Sequence, residues 1–422
     1  MTALYRRVDY PATMWNGSLM FDASRGGRAQ VAHMDQPRIA VIGAGIAGLT
    51  LARALQVCGL TPRVYEQSTV LGEVGAGLTI TPNASHVLHA IGLQPALDEL
   101  AMRPDRGGVK DWRTGELLVE ISRGAEMLAK YGAPYYQIHR ADLHAALVKS
   151  VVACDPQAIE LGREFRELED AHGRVQVTFA DGHRIDADVV IGADGIRSKV
   201  RRQLFGDGQP RFTGYVAYRG LVEHESLPPG IIEPTSCIST GPGCSFTRYL
   251  LREGRLVNYV ALTERKNWQE EGWSIRASVG ELLQEFSGWY SDIHTIIRAT
   301  PETRLFKWAL FDREPLPSWT RGAVTLLGDA AHPMLPFLGQ GAAMGIEDAL
   351  VFARAFTAAH SINEGLRRYE EARLHRANWV MLESRKTAVT YHSGRREHFT
   401  PGKHVSAESL GLMTYNPTAV AV

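Results

Sequence analysis

Apolar and polar residues change rhythm several times in this chain, and each change predicts an element. Ile39-Ala40-Val41-Ile42 is an unbroken apolar run, suited to a strand buried on both faces of a parallel sheet. Three glycines follow between Gly43 and Gly48. A helical spacing then runs through Leu49, Leu51, Ala52 and Leu55, stopped by Gly59 with Pro62 beyond. Arg63-Val64-Tyr65-Glu66 reads as the next strand, so the segment predicts a βαβ unit. Val175, Val177 and Phe179 alternate with polar neighbours, and Asp181-Gly182 supplies the turn of a hairpin over residues 175–185. Val189-Val190-Ile191-Gly192 and Ala323-Val324-Thr325-Leu326-Leu327 return to the buried-strand type and run into Ala193-Asp194-Gly195 and Gly328-Asp329. Between them, residues 212–262 are β-like, with Gly and Pro punctuation and no long helical period. From Gly341 the spacing is helical almost to His392, and the residues from there to Val422 are weakly patterned.

These elements predict an α/β protein with a discontinuous Rossmann-like cofactor domain, an inserted antiparallel β-sheet substrate domain and long C-terminal helices. The cofactor domain is expected over residues 38–110, 136–210 and 311–360. A substrate-layer segment is expected at 111–135, the β-sheet substrate domain at 211–310 and the C-terminal helical region at 361–422. Residues 1–37 read as an N-terminal extension rich in Arg, Gly and Ser. Within it, residues 1–33 are expected to be dispensable, with Met34 as an alternative start. Arg6-Arg7 lacks the apolar stretch that would follow it in an export signal. The active site is expected where the inserted sheet meets the cofactor domain.

Composition narrows the function classes. The 422 residues carry 46 Lys+Arg and 46 Asp+Glu, so there is no basic excess to attract nucleic acid or an acidic membrane. No uncharged apolar stretch reaches the roughly 18 residues of a membrane span. The four cysteines form no CxxC pair and no His cluster has metal-ligand spacing. These features predict no metal and a cytoplasmic location.

The candidate chemistry begins with Gly43-x-Gly45-x-x-Gly48, placed between a strand and a helix. Gly43 permits the tight turn, Gly45 lets the backbone approach a pyrophosphate, and Gly48 lets the helix pack close to the strand. The helix start offers N–H groups and the positive end of its dipole to the phosphates. Glu66, ending the next strand, can accept hydrogen bonds from ribose hydroxyls and would repel a 2′-phosphate, which suits FAD or NAD rather than NADP. Asp194 and Asp329 each sit just past a strand end. Each reads either as a ligand for a sugar or sugar-alcohol hydroxyl or as an ordinary turn or cap.

Taken in order, the glycine motif, Asp194-Gly195 and Gly328-Asp329 make the chain resemble the class A flavoprotein aromatic monooxygenases of the p-hydroxybenzoate hydroxylase fold. Within that family it resembles the salicylate and 3-hydroxybenzoate hydroxylases and the 6-hydroxynicotinate 3-monooxygenases. Further matching stretches are Gly75-Ala76-Gly77-Leu78-Thr79-Ile80-Thr81-Pro82-Asn83, Ile138-His139-Arg140-Ala141-Asp142-Leu143, Tyr218-Arg219-Gly220 and Gly339-Gln340-Gly341-Ala342. The likeness covers about residues 38–392. It implies an FAD-binding domain of the GR2 type, bound FAD, NADH or NADPH as a transient co-substrate, O2, and a small aromatic substrate, in a monomer or homodimer. Gly43, Gly45, Ala47 and Gly48 would hold the ADP half of FAD, with Glu66 on its ribose. Arg140 would lie beside the flavin chain and pyrophosphate, or in a surface salt bridge. Asp194 would serve the pyrophosphate region and nicotinamide binding, and Asp329 the ribityl hydroxyls. Gly339, Gly341, Ala342 and Ala343 would face the flavin ring. A helix starting near Gly341 would aim its N–H groups at the negative charge of reduced flavin. A glycine hinge before a helix would leave the same trace.

The implied reaction hydroxylates a phenolic or hydroxy-N-heteroaromatic acid through a flavin C4a-hydroperoxide, with or without decarboxylation. A flavin-dependent reductase or oxidase, or an FAD-binding protein without catalysis, stays open as the alternative. Tyr249, Arg219 and Tyr218 are the expected catalytic residues, and Arg248, Pro336 and Thr79 the expected substrate-binding ones. Tyr249 matches a family pocket tyrosine. Arg219 and Arg248 have the chemistry to pair with a substrate carboxylate, or structurally with an acid of the chain. Tyr218 and Tyr249 also read as core aromatics. Polar pocket groups of the family are replaced here. Thr79 stands where the 6-hydroxynicotinate enzymes carry a histidine, and Ser245 and Pro336 where the 3-hydroxybenzoate 6-hydroxylases carry a histidine and a glutamine. Met334, Leu335, Phe337 and Leu338 suit a water-excluding wall. His332 reads as a structural group rather than a base.

Overall fold

The Ile39–Ile42 run becomes the centre of a six-stranded sheet, because all four of its residues are buried and it pairs in parallel on both sides. Its neighbours are Val189–Gly192 and Arg63–Glu66. Val324–Leu326 lies beyond the first and Ile159–Leu161 beyond the second, all parallel. Thr320–Arg321 closes one edge antiparallel. The computed structural model describes residues 36–72, 77–171, 173–206, 208–268, 275–400 and 403–422. Pro37–Val422 forms one compact unit. The proposed extension falls outside the described residues up to position 35, as do Gly75 and Ala76.

A parallel sheet needs helices to cover it. The Ile46–Val57 helix, set by the spacing of its buried Leu49, Leu51, Ala52 and Leu55, packs against the Gly341–Thr357 helix. Gly328 and Gly345 allow this approach, since a Cβ on either would stand 3.0 or 2.9 Å from the Ala47 methyl. The Ile362–Tyr391 helix packs behind it. The hairpin expected near residue 181 forms a separate three-stranded sheet, with Phe165–Ala171 joining Arg174–Phe179 and Arg184–Ala187.

The second layer is an eight-stranded sheet. Its order is Ile275–Arg276, Leu305–Asp312, Arg211–Glu223, Leu256–Glu264, Cys244–Leu251, Ser236–Gly241, Arg106–Asp111 and Leu117–Ser122. The boundary expected between residues 110 and 111 cuts through Arg106–Asp111, all of which belongs to this sheet. The boundary at 310/311 likewise cuts Leu305–Asp312. Arg106–Asp111 pairs in parallel with Ser236–Gly241, a contact across more than a hundred residues that no local period announces.

The two faces of this sheet differ. Tyr218, Phe246, Leu250 and Tyr259 pack into one apolar cluster with the helices Val279–Glu285 and Ser291–Arg298. The other face carries Ala217 and Leu262, which pack with Leu335, Phe337 and Tyr391.

Candidate active site

The carboxyl ends of the parallel strands bring four predicted turns side by side. Gly43 follows Ile39–Ile42, Glu66 ends Arg63–Glu66, Asp194 follows Val189–Gly192 and Asp329 follows Val324–Leu326. Gly43 has φ +109°, and a Cβ there would stand 2.5 Å from the Ala193 carbonyl oxygen, so the turn requires glycine. A Cβ on Gly48 would stand 2.1 Å from the Gly43 carbonyl oxygen, the close helix–strand approach expected of it. Gly45 is different. It has φ −71°, and a Cβ built on it meets nothing within 4 Å. Its backbone borders open space at a helix start that no side chain caps, so the first N–H groups are free for an anion. Glu66 braces the loop: its Oε2 accepts a 2.8 Å bond from the Ala44 N–H and its Oε1 one of 2.9 Å from Ser68.

Asp329 lies deep in the fold but presents its side chain to open space. Among the described residues it has no hydrogen-bond or ion-pair partner. Burial raises its pKa, and the positive charges of His332 and Arg140 oppose that rise. An acceptor so placed needs a donor that the described chain does not supply, and a polyol hydroxyl fits. Arg140 opens the Arg140–Cys154 helix. Asp194 takes the capping alternative. Its Oδ1 accepts from the Ser198 hydroxyl at 2.6 Å and its Oδ2 from the backbone of Lys199 at 2.8 Å and Val200 at 3.2 Å. Its carboxylate is committed to starting the Lys199–Phe205 helix, and burial raises its pKa despite those bonds.

Gly339 has φ +63° and ends the Pro336–Leu338 turn, after which Gly341 begins the 17-residue helix with no side-chain cap. Gly341 and Ala342 are half-buried and Ala343 is buried. Gln340, fully buried, donates to the Thr81 hydroxyl at 3.1 Å and accepts from the Asn83 amide at 3.1 Å. Asn83 also donates to Glu347, which is paired with Arg373 and Arg376 at 2.6 and 2.9 Å. Arg373 meets Asp348 at 2.7 Å, and Asp348 holds His332 at 2.5 Å. Burial alone would raise the Asp348 carboxyl, but His332 and Arg373 outweigh it and hold its pKa at about 2. His332 is thus a buried member of a network that fixes the 339–341 turn, in keeping with the structural role expected of it.

Beside that turn lies a cavity of about 150 Å3. Pro336, Phe337, Leu338 and Gly339 form one wall, and Thr79, Thr247 and Tyr249 another. A Cβ on Gly77 would overlap the Tyr249 ring, so glycine at 77 makes room for that side chain. The Tyr249 hydroxyl shares a hydrogen bond with Thr79. Burial raises its pKa, so the phenol keeps its proton.

Of the expected pocket residues, Tyr249, Thr79 and Pro336 line the cavity. Tyr218 and Arg248 do not. They sit on the opposite face of the sheet, because side chains alternate along a strand and each is one residue from a cavity-side position. The Tyr218 hydroxyl bonds Glu281 at 2.7 Å. Arg248, 1% exposed, donates to the Pro234 and Glu233 carbonyls at 2.9 and 3.1 Å. Arg219 has the cavity-side parity but lies over the Trp308 ring at 5.3 Å, outside the cavity lining. It still acts on Tyr249 through its charge. Ser245 bonds the buried His392 ring at 3.1 Å. Sequence reasoning missed Arg123, Tyr135, Tyr391 and His404, which complete the cavity from remote segments.

Comparison with known proteins agrees with this geometry. Residues 37–228 and 284–384 match the FAD binding domain family. The 3-amino-4-hydroxybenzoate 2-monooxygenase PtnB3 of Streptomyces platensis is 41% identical over 379 residues, covering 89% of this chain and 94% of that protein. The 6-hydroxynicotinate 3-monooxygenase of Pseudomonas fluorescens is 36% identical, covering 82% and 89%. The crystal structure of Klebsiella pneumoniae HpxO complexed with FAD and uric acid superposes with a TM-score of 0.79 at 26% identity, covering 89% and 95%.

Proposed function

We infer the activity from one premise: the chain belongs to the FAD binding domain family. It is an FAD-dependent monooxygenase that uses NADH or NADPH and O2 to hydroxylate an aromatic ring, and its substrate is a small phenolic or hydroxy-N-heteroaromatic acid. The observation that carries the reading is the cavity beside the 336–339 turn, next to a helix start without a side-chain cap. When bound, FAD would supply the redox chemistry that couples oxidation of the nicotinamide to the use of O2.

The chain's own residues do the rest. The N–H groups at Gly43 to Gly48 hold the pyrophosphate, Glu66 the ribose and Asp329 the ribityl chain, while Arg140 adds positive charge near Asp329. The helix starting at Gly341 would offer its uncapped N–H groups and dipole to the negative charge of the reduced ring. Phe337, Leu338, Ile238 and Met413 exclude water from the cavity. Tyr249 stays protonated and donates a hydrogen bond to the substrate's ring oxygen, positioning the carbon to be hydroxylated. Asp194 acts through the backbone it caps. All four cysteines are free thiols, which supports a cytoplasmic location.

The test is turnover under 18O2 with a panel of aromatic acids that includes 3-amino-4-hydroxybenzoate and 6-hydroxynicotinate. One 18O atom should enter the product, with one NAD(P)H consumed. Oxidation of NAD(P)H with label absent from every aromatic compound of the panel, appearing only in peroxide or water, overturns the reading.

A further inference from the structure

The cavity contains a cation that the sequence did not single out. Arg123 follows the edge strand Leu117–Ser122, with its backbone held by the Asp105 carbonyl at 2.9 Å. Its guanidinium lies over the Tyr135 ring at 4.1 Å and lines the cavity with it. Its Nε is buried and makes no hydrogen bond, and Arg123 forms no ion pair among the described residues. The carboxylate that lines the same cavity, Glu408, is engaged elsewhere, by Lys130 at 2.9 Å and Tyr131 at 3.1 Å. Gly107 makes the space, since a Cβ there would stand 2.8 Å from the Arg123 Nε. Arg123 is the one Lys or Arg among the described cavity-lining residues, and its charge reaches the Tyr391 and His404 rings that line the same cavity.

A half-buried guanidinium whose side chain has no hydrogen-bond or ion-pair partner among the described residues asks for an anion, and a carboxylate can take two parallel N–H bonds from its Nη groups. Arg248 is turned to the other face of the sheet and Arg219 lies outside the lining. Resting on the aromatic-acid reading above, we propose that Arg123 is the residue that binds the substrate's carboxylate. Arg123 is then the specificity-determining group that separates aromatic acids from neutral phenols.

The test compares binding of 3-amino-4-hydroxybenzoate and 6-hydroxynicotinate with that of their carboxamides, read from the flavin absorbance change of the FAD-loaded protein. Wild type should prefer at least one acid over its amide. Arg123→Met should weaken that acid by about 30-fold or more while changing the amide by less than about 3-fold, which removes the preference. Arg123→Lys, which keeps the charge without the planar fork, should fall between and serves if the Met variant does not hold FAD. Undiminished acid preference in whichever variant retains flavin overturns the assignment alone. So does equal weakening of acid and amide. A wild-type protein that loads FAD but responds to neither acid overturns the aromatic-acid reading, and the assignment falls with it.

Discussion

An alanine Cβ at Gly77 would stand 2.5 Å from the Tyr249 hydroxyl oxygen. The two residues come from different sheets, and the clash bears on the hydroxyl proposed to hydrogen-bond the substrate. Gly77→Ala should push Tyr249 off its position at a cost of about 1–3 kcal/mol in stability. FAD content should stay unchanged while product formation drops by about tenfold or more. Retention of full turnover would show that Tyr249 does not position the substrate.

Gly43 and Gly45 separate folding from cofactor binding. Gly43→Ala puts a side chain at φ +109° against the Ala193 carbonyl and should destabilise the protein by about 1–3 kcal/mol even without flavin. Gly45→Ala meets no protein atom, so the flavin-free protein should melt within about 0.5 kcal/mol of wild type. Its FAD affinity should nevertheless fall by about tenfold or more, because the new methyl occupies the phosphate approach. Melting curves with and without FAD, beside a flavin titration, check both halves.

Asp348 holds His332 and Arg373 in the buried network behind the 339–341 turn. Asp348→Asn leaves the Arg373 guanidinium short of one of its two buried carboxylates. The loss should be about 3–5 kcal/mol, measured by denaturant unfolding. A change below about 1 kcal/mol would mean that Glu347 alone satisfies Arg373.

Acid should destabilise the protein above the range in which ordinary carboxylates titrate. Burial pushes His392 and His404 down to about 4, and Arg123 adds to the effect on His404. An unfolded histidine takes up its proton near pH 6.5, so between about 6.5 and 4 the unfolded state binds more protons than the folded one. The stabilisation from these rings is complete above about pH 6.5 and is lost as the pH falls through 4. For His392, which is 5% exposed and meets the Tyr215 and Phe337 rings edge-on, the effect is on the order of 3 kcal/mol. His392→Phe should flatten the dependence of melting temperature on pH in that window. An unchanged slope would place the acid sensitivity elsewhere.

Much of the cofactor-binding half was legible residue by residue, because its signals are local. An apolar run buried on both faces, a glycine-permitted turn and an acid ending the next strand lie within a few dozen residues, and the backbone of each turn depends on its own side chains. Asp194 and Asp329 look alike in sequence. Their difference, one carboxylate committed to a helix start and the other facing open space, comes from what packs around each turn.

The cavity was far less legible. Alternation along Cys244–Leu251 says that Arg248 and Tyr249 face opposite ways, but not which way the cavity lies; that depends on which face the Val279–Glu285 and Ser291–Arg298 helices cover. Arg123 arrives through the non-local strand pairing of residues 106–122, and His404 through a weakly patterned tail that lines the cavity. Local chemistry writes the elements and their turns. Long-range packing selects which side chains surround the same small volume, and no period in the chain records that choice.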